Sequence, residues 1–204
     1  MDAKVLDIET PHGPARAHVY RAKARKAALV LGHGAGGGVE SRDLVTARDT
    51  ALAEGLAVAM VEQPYRVAGR RSPAPAQKLD EAWLAVVGDL VADELAGLPL
   101  VVGGRSLGAR VACRTAATTG AVGVLCLAFP LVPPRRSGSA TSRLPELDAV
   151  KVPVLVIQGE SDPFGMPRPG KAREVVRVRG NHSLRTDLDL VADAIRTWLR
   201  KVVG

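Results

Sequence analysis

Aromatic residues make up only 3% of this 204-residue chain, and cysteine occurs just twice. With so few rings there is no platform on which single-stranded bases could stack. The two thiols, Cys113 and Cys126, give no disulfide framework. Each lies in an apolar neighbourhood, where a free thiol behaves as a small buried hydrophobe, and this fits a reducing cytoplasm better than export. Long apolar runs are also missing. None approaches the roughly 20 residues of a spanning helix, and Met1 to Tyr20 mixes charged and apolar residues, without a signal-peptide core. No period of about 20 to 50 residues repeats, which argues against a solenoid or propeller. Acidic residues are the scarcer charge, 21 against 28 basic for a net charge of +7. That balance attracts anions, but no nucleic-acid-binding motif accompanies it.

What is present is an apolar fraction of 47%, enough for a chain of this length to bury a core as one domain over residues 1–204 without a metal or disulfide. Two short strands, Lys4 to Glu9 and Ala15 to Tyr20, flank a turn at Pro11-His12-Gly13-Pro14. Apolar strands then alternate with amphipathic helices: strands at Ala27–Gly32, Leu56–Val61, Leu98–Val102, Val122–Phe129, Val152–Gln158 and Glu174–Val178, helices at Ser41–Glu54, Leu79–Leu95, Leu107–Thr119 and Thr186–Val202. The alternation predicts an α/β fold, a three-layer α/β/α sandwich whose mostly parallel sheet ends in an antiparallel N-terminal edge. In such sheets ligands bind beyond the carboxyl ends of the strands.

Beyond the strand at Leu98–Val102 stands Gly104-Arg105-Ser106-Leu107-Gly108. A serine is a weak nucleophile until it is exposed beside a base. A tight strand-to-helix turn provides the exposure, the glycines remove side chains that would clash there, and the following helix aims its N–H groups at a developing oxyanion. A phosphate-binding or purely structural glycine turn is the competing reading. The base expected for Ser106 is His182, the sole histidine after it, in the loop Arg179-Gly180-Asn181-His182-Ser183. The orienting acid expected is Asp162, at the bend before Pro163, with Glu160 as the alternative. The oxyanion donors expected are the N–H groups of Leu107 and of Ala35. Ala35 lies in the loop His33-Gly34-Ala35-Gly36-Gly37-Gly38, where glycines let backbone approach a ligand; Gly34 and Gly36 are expected against the substrate, and His33 is read as shaping the loop. That loop lacks the Lys-Ser/Thr ending of a phosphate-binding P-loop. Nothing calls for a metal or a cofactor.

These segments, in this order, resemble the α/β-hydrolase superfamily over nearly the whole chain, most closely its small lidless members similar to dienelactone hydrolase, with serine in place of that enzyme's cysteine. More narrowly, His33-Gly34-Ala35-Gly36, Glu62-Gln63-Pro64-Tyr65-Arg66, Gly104 to Arg110 and Phe129-Pro130-Leu131 are similar to a group that includes a testis-expressed hydrolase-like protein and a subunit of the non-specific-lethal chromatin complex. The resemblance implies a minimal lidless fold and a serine hydrolase of small esters or thioesters. It leaves the substrate open, because this fold hosts many activities. The alternative is a non-catalytic binding module for a protein or an anionic ligand.

Three loops beyond strand ends, residues 63–78, 129–145 and 163–173, hold ten basic residues (Arg66, Arg70, Arg71, Lys78, Arg135, Arg136, Arg143, Arg168, Lys171 and Arg173) and no acidic one. Two readings stay open: a positive rim that draws in an anionic small-molecule substrate, or solvated arginine in an arginine-rich chain. Arg105, beside the nucleophile, is expected either to contact a substrate anion or to pair with Glu62.

Overall fold

The apolar strands of the sequence sit side by side in the computed structural model, which describes residues 3–133 and 141–204. Among the described residues eight strands form one sheet in the order β1-β2-β4-β3-β5-β6-β7-β8. They are β1 (Lys4–Ile8), β2 (Ala15–Tyr20), β3 (Ala27–Gly32), β4 (Leu56–Glu62), β5 (Leu100–Arg105), β6 (Gly123–Leu127), β7 (Val154–Gly159) and β8 (Arg173–Val178). β1 pairs antiparallel with β2, and β2 antiparallel with β4. The remaining pairings are parallel. The expected α/β sandwich with an antiparallel N-terminal edge is the fold observed.

The strand period of two divides the core into two layers. Ala28, Val30, Val102, Val124 and Val156 face one layer with Leu79, Trp83, Val86 and Leu90 of α3 (Ala76–Ala92) and Val111 and Ala112 of α4 (Leu107–Thr115). Leu29, Leu31, Val101, Leu125 and Ile157 face the other, under Leu44 and Ala47 of α1 (Arg42–Ala53) and Ile195 and Trp198 of α6 (Leu188–Val203). Both faces are covered, which is why the central strands read as unbroken apolar runs.

Two short helices, α2 (Pro64–Val67) and α5 (Leu144–Asp148), lie in segments where the sequence pattern showed only loop. Each has proline in its first turn, where the missing N–H costs nothing. The strand expected at Leu98–Val102 runs on to Arg105 as β5, because its glycines still find ladder partners: Gly104 is opposite Gly32 and Arg105 opposite Leu127. No helix of the described residues is long and apolar enough to cross a membrane.

Candidate active site

The carboxyl ends of β3, β5, β7 and β8 bring together the loops that carry Ala35, Ser106, Asp162 and His182. Ser106 links β5 to α4 with φ 52° and ψ −104°, a left-handed conformation that costs a non-glycine residue about 1–3 kcal/mol. The surroundings hold it there. The Ser106 N–H donates to the Leu127 carbonyl at 2.9 Å, and the Gly108 N–H to the His33 carbonyl at 3.1 Å. Gly108 lets α4 lie directly on β3: a Cβ there would sit 3.0 Å from the Gly32 Cα and closer still to its carbonyl. Leu107 is the first residue of α4, so its N–H has no acceptor within the helix.

His182 Nε2 lies 2.9 Å from Ser106 Oγ, and His182 Nδ1 lies 2.8 Å from Asp162 Oδ2. A carboxylate only accepts, so Nδ1 carries the proton and Nε2 accepts from the serine hydroxyl. The Asp162 side chain is almost wholly buried. Its Oδ1 accepts from the Phe164 N–H at 2.9 Å, and its Oδ2 also accepts from Gln158 Nε2 at 2.8 Å. The Phe164 ring stands edge-on to the His182 imidazole, with centroids 4.5 Å apart. The histidine loop has its own brace: the Ser183 N–H donates to Asn181 Oδ1 at 3.0 Å, and Leu184 is fully buried. Glu160, the alternative acid, is exposed, and the imidazole faces Asp162 instead.

The Gly34–Gly37 turn closes with a 3.3 Å bond from the Gly37 N–H to the Gly34 carbonyl. His33 is buried beneath it. Its Nδ1 donates to the Gly34 carbonyl at 2.8 Å, and its Nε2 accepts from the Gln63 N–H at 3.1 Å. Burial holds the His33 pKa below its ordinary value, so the neutral ring can serve as donor and acceptor at once. The Tyr65 hydroxyl donates to the Ala35 carbonyl at 3.1 Å.

Arg105 departs from the pairing expected with Glu62, whose carboxylate takes His18 at 3.0 Å. The acid beside Arg105 is Asp43 of α1, with Oδ2 2.9 Å from Nε, while Nη2 donates to the His182 carbonyl at 3.0 Å. Sequence reasoning missed Asp43, Gln158, Tyr65 and Phe164. Gln158 had left a signal, a lone polar residue closing an apolar strand, and Asp43 none. Of the basic rim, Arg135 and Arg136 lie outside the described residues. No group of three or more His, Cys, Asp or Glu able to hold a metal occurs among the described residues. A cavity of about 580 Å³, lined by Gln63, Tyr65, Arg70, Lys78 and Leu79 among others, flanks this region without touching Ser106 or His182.

The family profile described as "Alpha/beta hydrolase domain" matches residues 25–189. No curated protein matches the chain. Among solved structures it is similar to XC6422 of Xanthomonas campestris, described as an a/b serine hydrolase without lid (18% identity, TM-score 0.81, covering 100% of this chain and 96% of that one). It is also similar to the dienelactone hydrolase of Anabaena variabilis (15%, TM-score 0.80, 100% and 99%) and to Est1E of Butyrivibrio proteoclasticus (17%, TM-score 0.78, 98% of each).

Proposed function

The chain belongs to the alpha/beta hydrolase family, and from that premise we propose that it is a serine hydrolase cleaving a small ester or thioester through an acyl-enzyme. The observation that carries the proposal is the unbroken chain from Ser106 Oγ to His182 Nε2 at 2.9 Å and from His182 Nδ1 to Asp162 Oδ2 at 2.8 Å. In the proposed reaction Ser106 attacks the carbonyl carbon as His182 takes its proton. Asp162 keeps the imidazole in the Nδ1–H tautomer and stabilises the imidazolium. The Leu107 and Ala35 amides hold the oxyanion, each such donor being worth about 3 kcal/mol in the transition state. His182 then protonates the leaving oxygen or sulfur, and water, activated by the same imidazole, releases the acid.

We further propose that the chain is a relative of the testis-expressed hydrolase-like group, on the segments that resemble it, and that it works in a reducing cytoplasm, a reading supported by two buried free thiols 3.5 Å apart. The exposed cations Arg70, Arg71 and Lys78, in the segment after β4, favour an anionic substrate. The test is labelling by a fluorophosphonate probe, with the adduct mapped by mass spectrometry. Labelling confined to Ser106 and lost in Ser106→Ala supports the proposal. Folded protein that takes no label returns the chain to the reading as a non-catalytic binding module.

A further inference from the structure

The Asp43 side chain is wholly excluded from solvent, and that of Arg105 nearly so, with 17% exposed. Burying two charges costs more than a like-sized apolar pair would, so such a pair is poor evidence for stability and calls for another reason. Asp43 lies in the first turn of α1, where its Oδ1 accepts from the Leu44 N–H at 3.0 Å. Its Oδ2 faces Arg105 Nε at 2.9 Å, yet both atoms lack an aligned hydrogen bond among the described residues. The contact is a charge contact, with the guanidinium turned to serve another acceptor. That acceptor is the backbone carbonyl of His182, 3.0 Å from Nη2. The third nitrogen, Nη1, lies against Gly34, where a Cβ would stand 2.8 Å from it. Arg105 is also the residue before Ser106 in the chain. One guanidinium therefore touches α1, the glycine loop and the histidine loop, from the residue next to the nucleophile.

We propose that Asp43 and Arg105 form a buried clamp that sets the position of the His182 loop against Ser106, both acting as positioning residues. The inference rests on the hydrolase reading. Arg105 is bonded to the backbone of His182, so it fixes where the imidazole starts, while Asp162 and Ser106 fix where it points. Asp43 holds the guanidinium in that orientation and, being wholly buried, has no path to a substrate. A lysine at position 105 keeps the charge but cannot serve an acid and a carbonyl with separate, rigidly spaced N–H groups.

The test compares Asp43→Asn, Arg105→Gln, Arg105→Lys and the Asp43→Asn/Arg105→Gln double variant on a neutral aryl acetate and an ester bearing a carboxylate. Each single variant is expected to lower kcat on both esters by about tenfold or more with KM within about twofold, since a small misplacement of the base costs rate rather than binding. The double variant is expected to be no slower than the slower single, because both act through one contact. Amide hydrogen exchange in Asp43→Asn, against wild type, should rise at residues 182–184 and stay unchanged in α3. This readout needs no turnover, so it judges the clamp even where wild-type protein takes no fluorophosphonate, a result that would sink the hydrolase reading separately. Wild-type kcat and exchange in Asp43→Asn would overturn the clamp. So would an Arg105→Gln defect confined to KM for the anionic ester, which would make Arg105 a substrate contact.

Discussion

The hydroxyl of Tyr65 donates to the carbonyl of Ala35 across 3.1 Å, and the amide of that same residue is the second donor proposed for the oxyanion. The bond ties the glycine loop to α2, which the buried His33 ring also meets edge-on through Tyr65 at 5.7 Å. Burial pushes the Tyr65 pKa up to about 12, so the hydroxyl keeps its proton at any working pH. Tyr65→Phe removes only this tie. We expect kcat to fall about three- to tenfold with KM nearly unchanged, and stability to fall by about 1 kcal/mol, the usual worth of one hydrogen bond. Steady-state kinetics and urea unfolding measure both. A variant with wild-type kcat would detach this loop from the oxyanion.

Gln158 gives a second handle, at the acid. Its Nε2 serves Asp162 Oδ2 at 2.8 Å, the Gly165 carbonyl at 2.9 Å and the Phe129 carbonyl at 3.0 Å, all from a fully buried strand position. Hydrogen bonds to charged groups contribute about 1.5–3 kcal/mol. Gln158→Leu should therefore lower kcat/KM by about tenfold or more, as the Asp162 carboxylate loses a donor and drifts from the imidazole. Gln158→Glu should do worse, because a second buried carboxylate would set a like charge against Asp162 where an amide N–H now donates to it. Equal activity in the leucine variant would mean that the Phe164 N–H alone suffices to hold the acid.

How far the sequence led depended on whether a residue's partner was local. The unbroken apolar run from Ala27 to Leu31, ended by Gly32, marked a strand buried on both faces, and the fold followed from such segments in series. Ser106, Asp162 and His182 were singled out because each follows a strand within a few residues. Asp43 was invisible for the opposite reason. In sequence it is an ordinary acid in a helix's first turn, and only the crossing of α1 over the carboxyl end of β5 puts it against Arg105. Tyr65 was hidden behind α2, a helix of four residues, too short to show a period. The strand boundary at Val102 fell short because glycines read as a turn, whereas in β5 Gly104 leaves room for Gly108 of α4 and Gly103 for the Leu125 backbone of β6.

The turn at Ser106 between β5 and α4 is open to a stability test. Ser106 keeps φ 52° without a glycine's freedom, so Ser106→Gly should stabilise the protein slightly, by up to about 1 kcal/mol, while abolishing turnover. Gly108→Ala should do the reverse. Its Cβ would press on the Gly32 backbone, where nothing can rotate away, and a loss of about 1–3 kcal/mol or more is expected. Thermal unfolding of both variants measures the pair. Destabilisation by Ser106→Gly would mean that its backbone strain is not stored against the fold.

His33 carries a pH prediction. Burial lowers its pKa from the ordinary 6.5, so the unfolded chain takes up a proton that the folded protein refuses. The stabilising contribution of the neutral ring is therefore complete above about pH 6.5 and is lost as pH falls toward the folded value. Asp43 acts with the opposite sign, since burial raises its pKa and the folded protein holds that proton more readily. Comparing wild type with His33→Asn isolates the histidine. The wild type should lose stability more steeply between about pH 6.5 and 5, measured as the urea midpoint. Parallel curves would show that His33 is protonated as readily in the folded protein as in the unfolded chain.

The final prediction concerns the basic rim. Arg173 is taken by Asp148 at 2.9 Å, and Arg143 Nη1 donates to the Pro130 carbonyl at 3.0 Å. Arg168 and Lys171 lie with Arg173 at the amino end of β8, where Arg173 is opposite Val154 and its Nε donates to the Arg168 carbonyl, away from the strand ends that carry Ser106. Steering therefore falls to the exposed Arg70, Arg71 and Lys78. Arg70 and Lys78 line the cavity beside Tyr65, on the approach to the glycine loop. If they draw substrate in, an ester bearing a carboxylate should have a higher kcat/KM than its neutral isostere. The advantage should shrink as salt rises from about 0.01 to about 0.15 M, because the Debye length falls from roughly 30 to roughly 8 Å. Replacing Arg70 and Arg71 by Glu should reduce the preference and leave kcat on the neutral ester alone, since steering acts on encounter and not on acyl transfer. A neutral ester that outperforms the anionic one at low salt would remove the steering role. These side chains would then be solvated arginine and lysine, their positions set by composition.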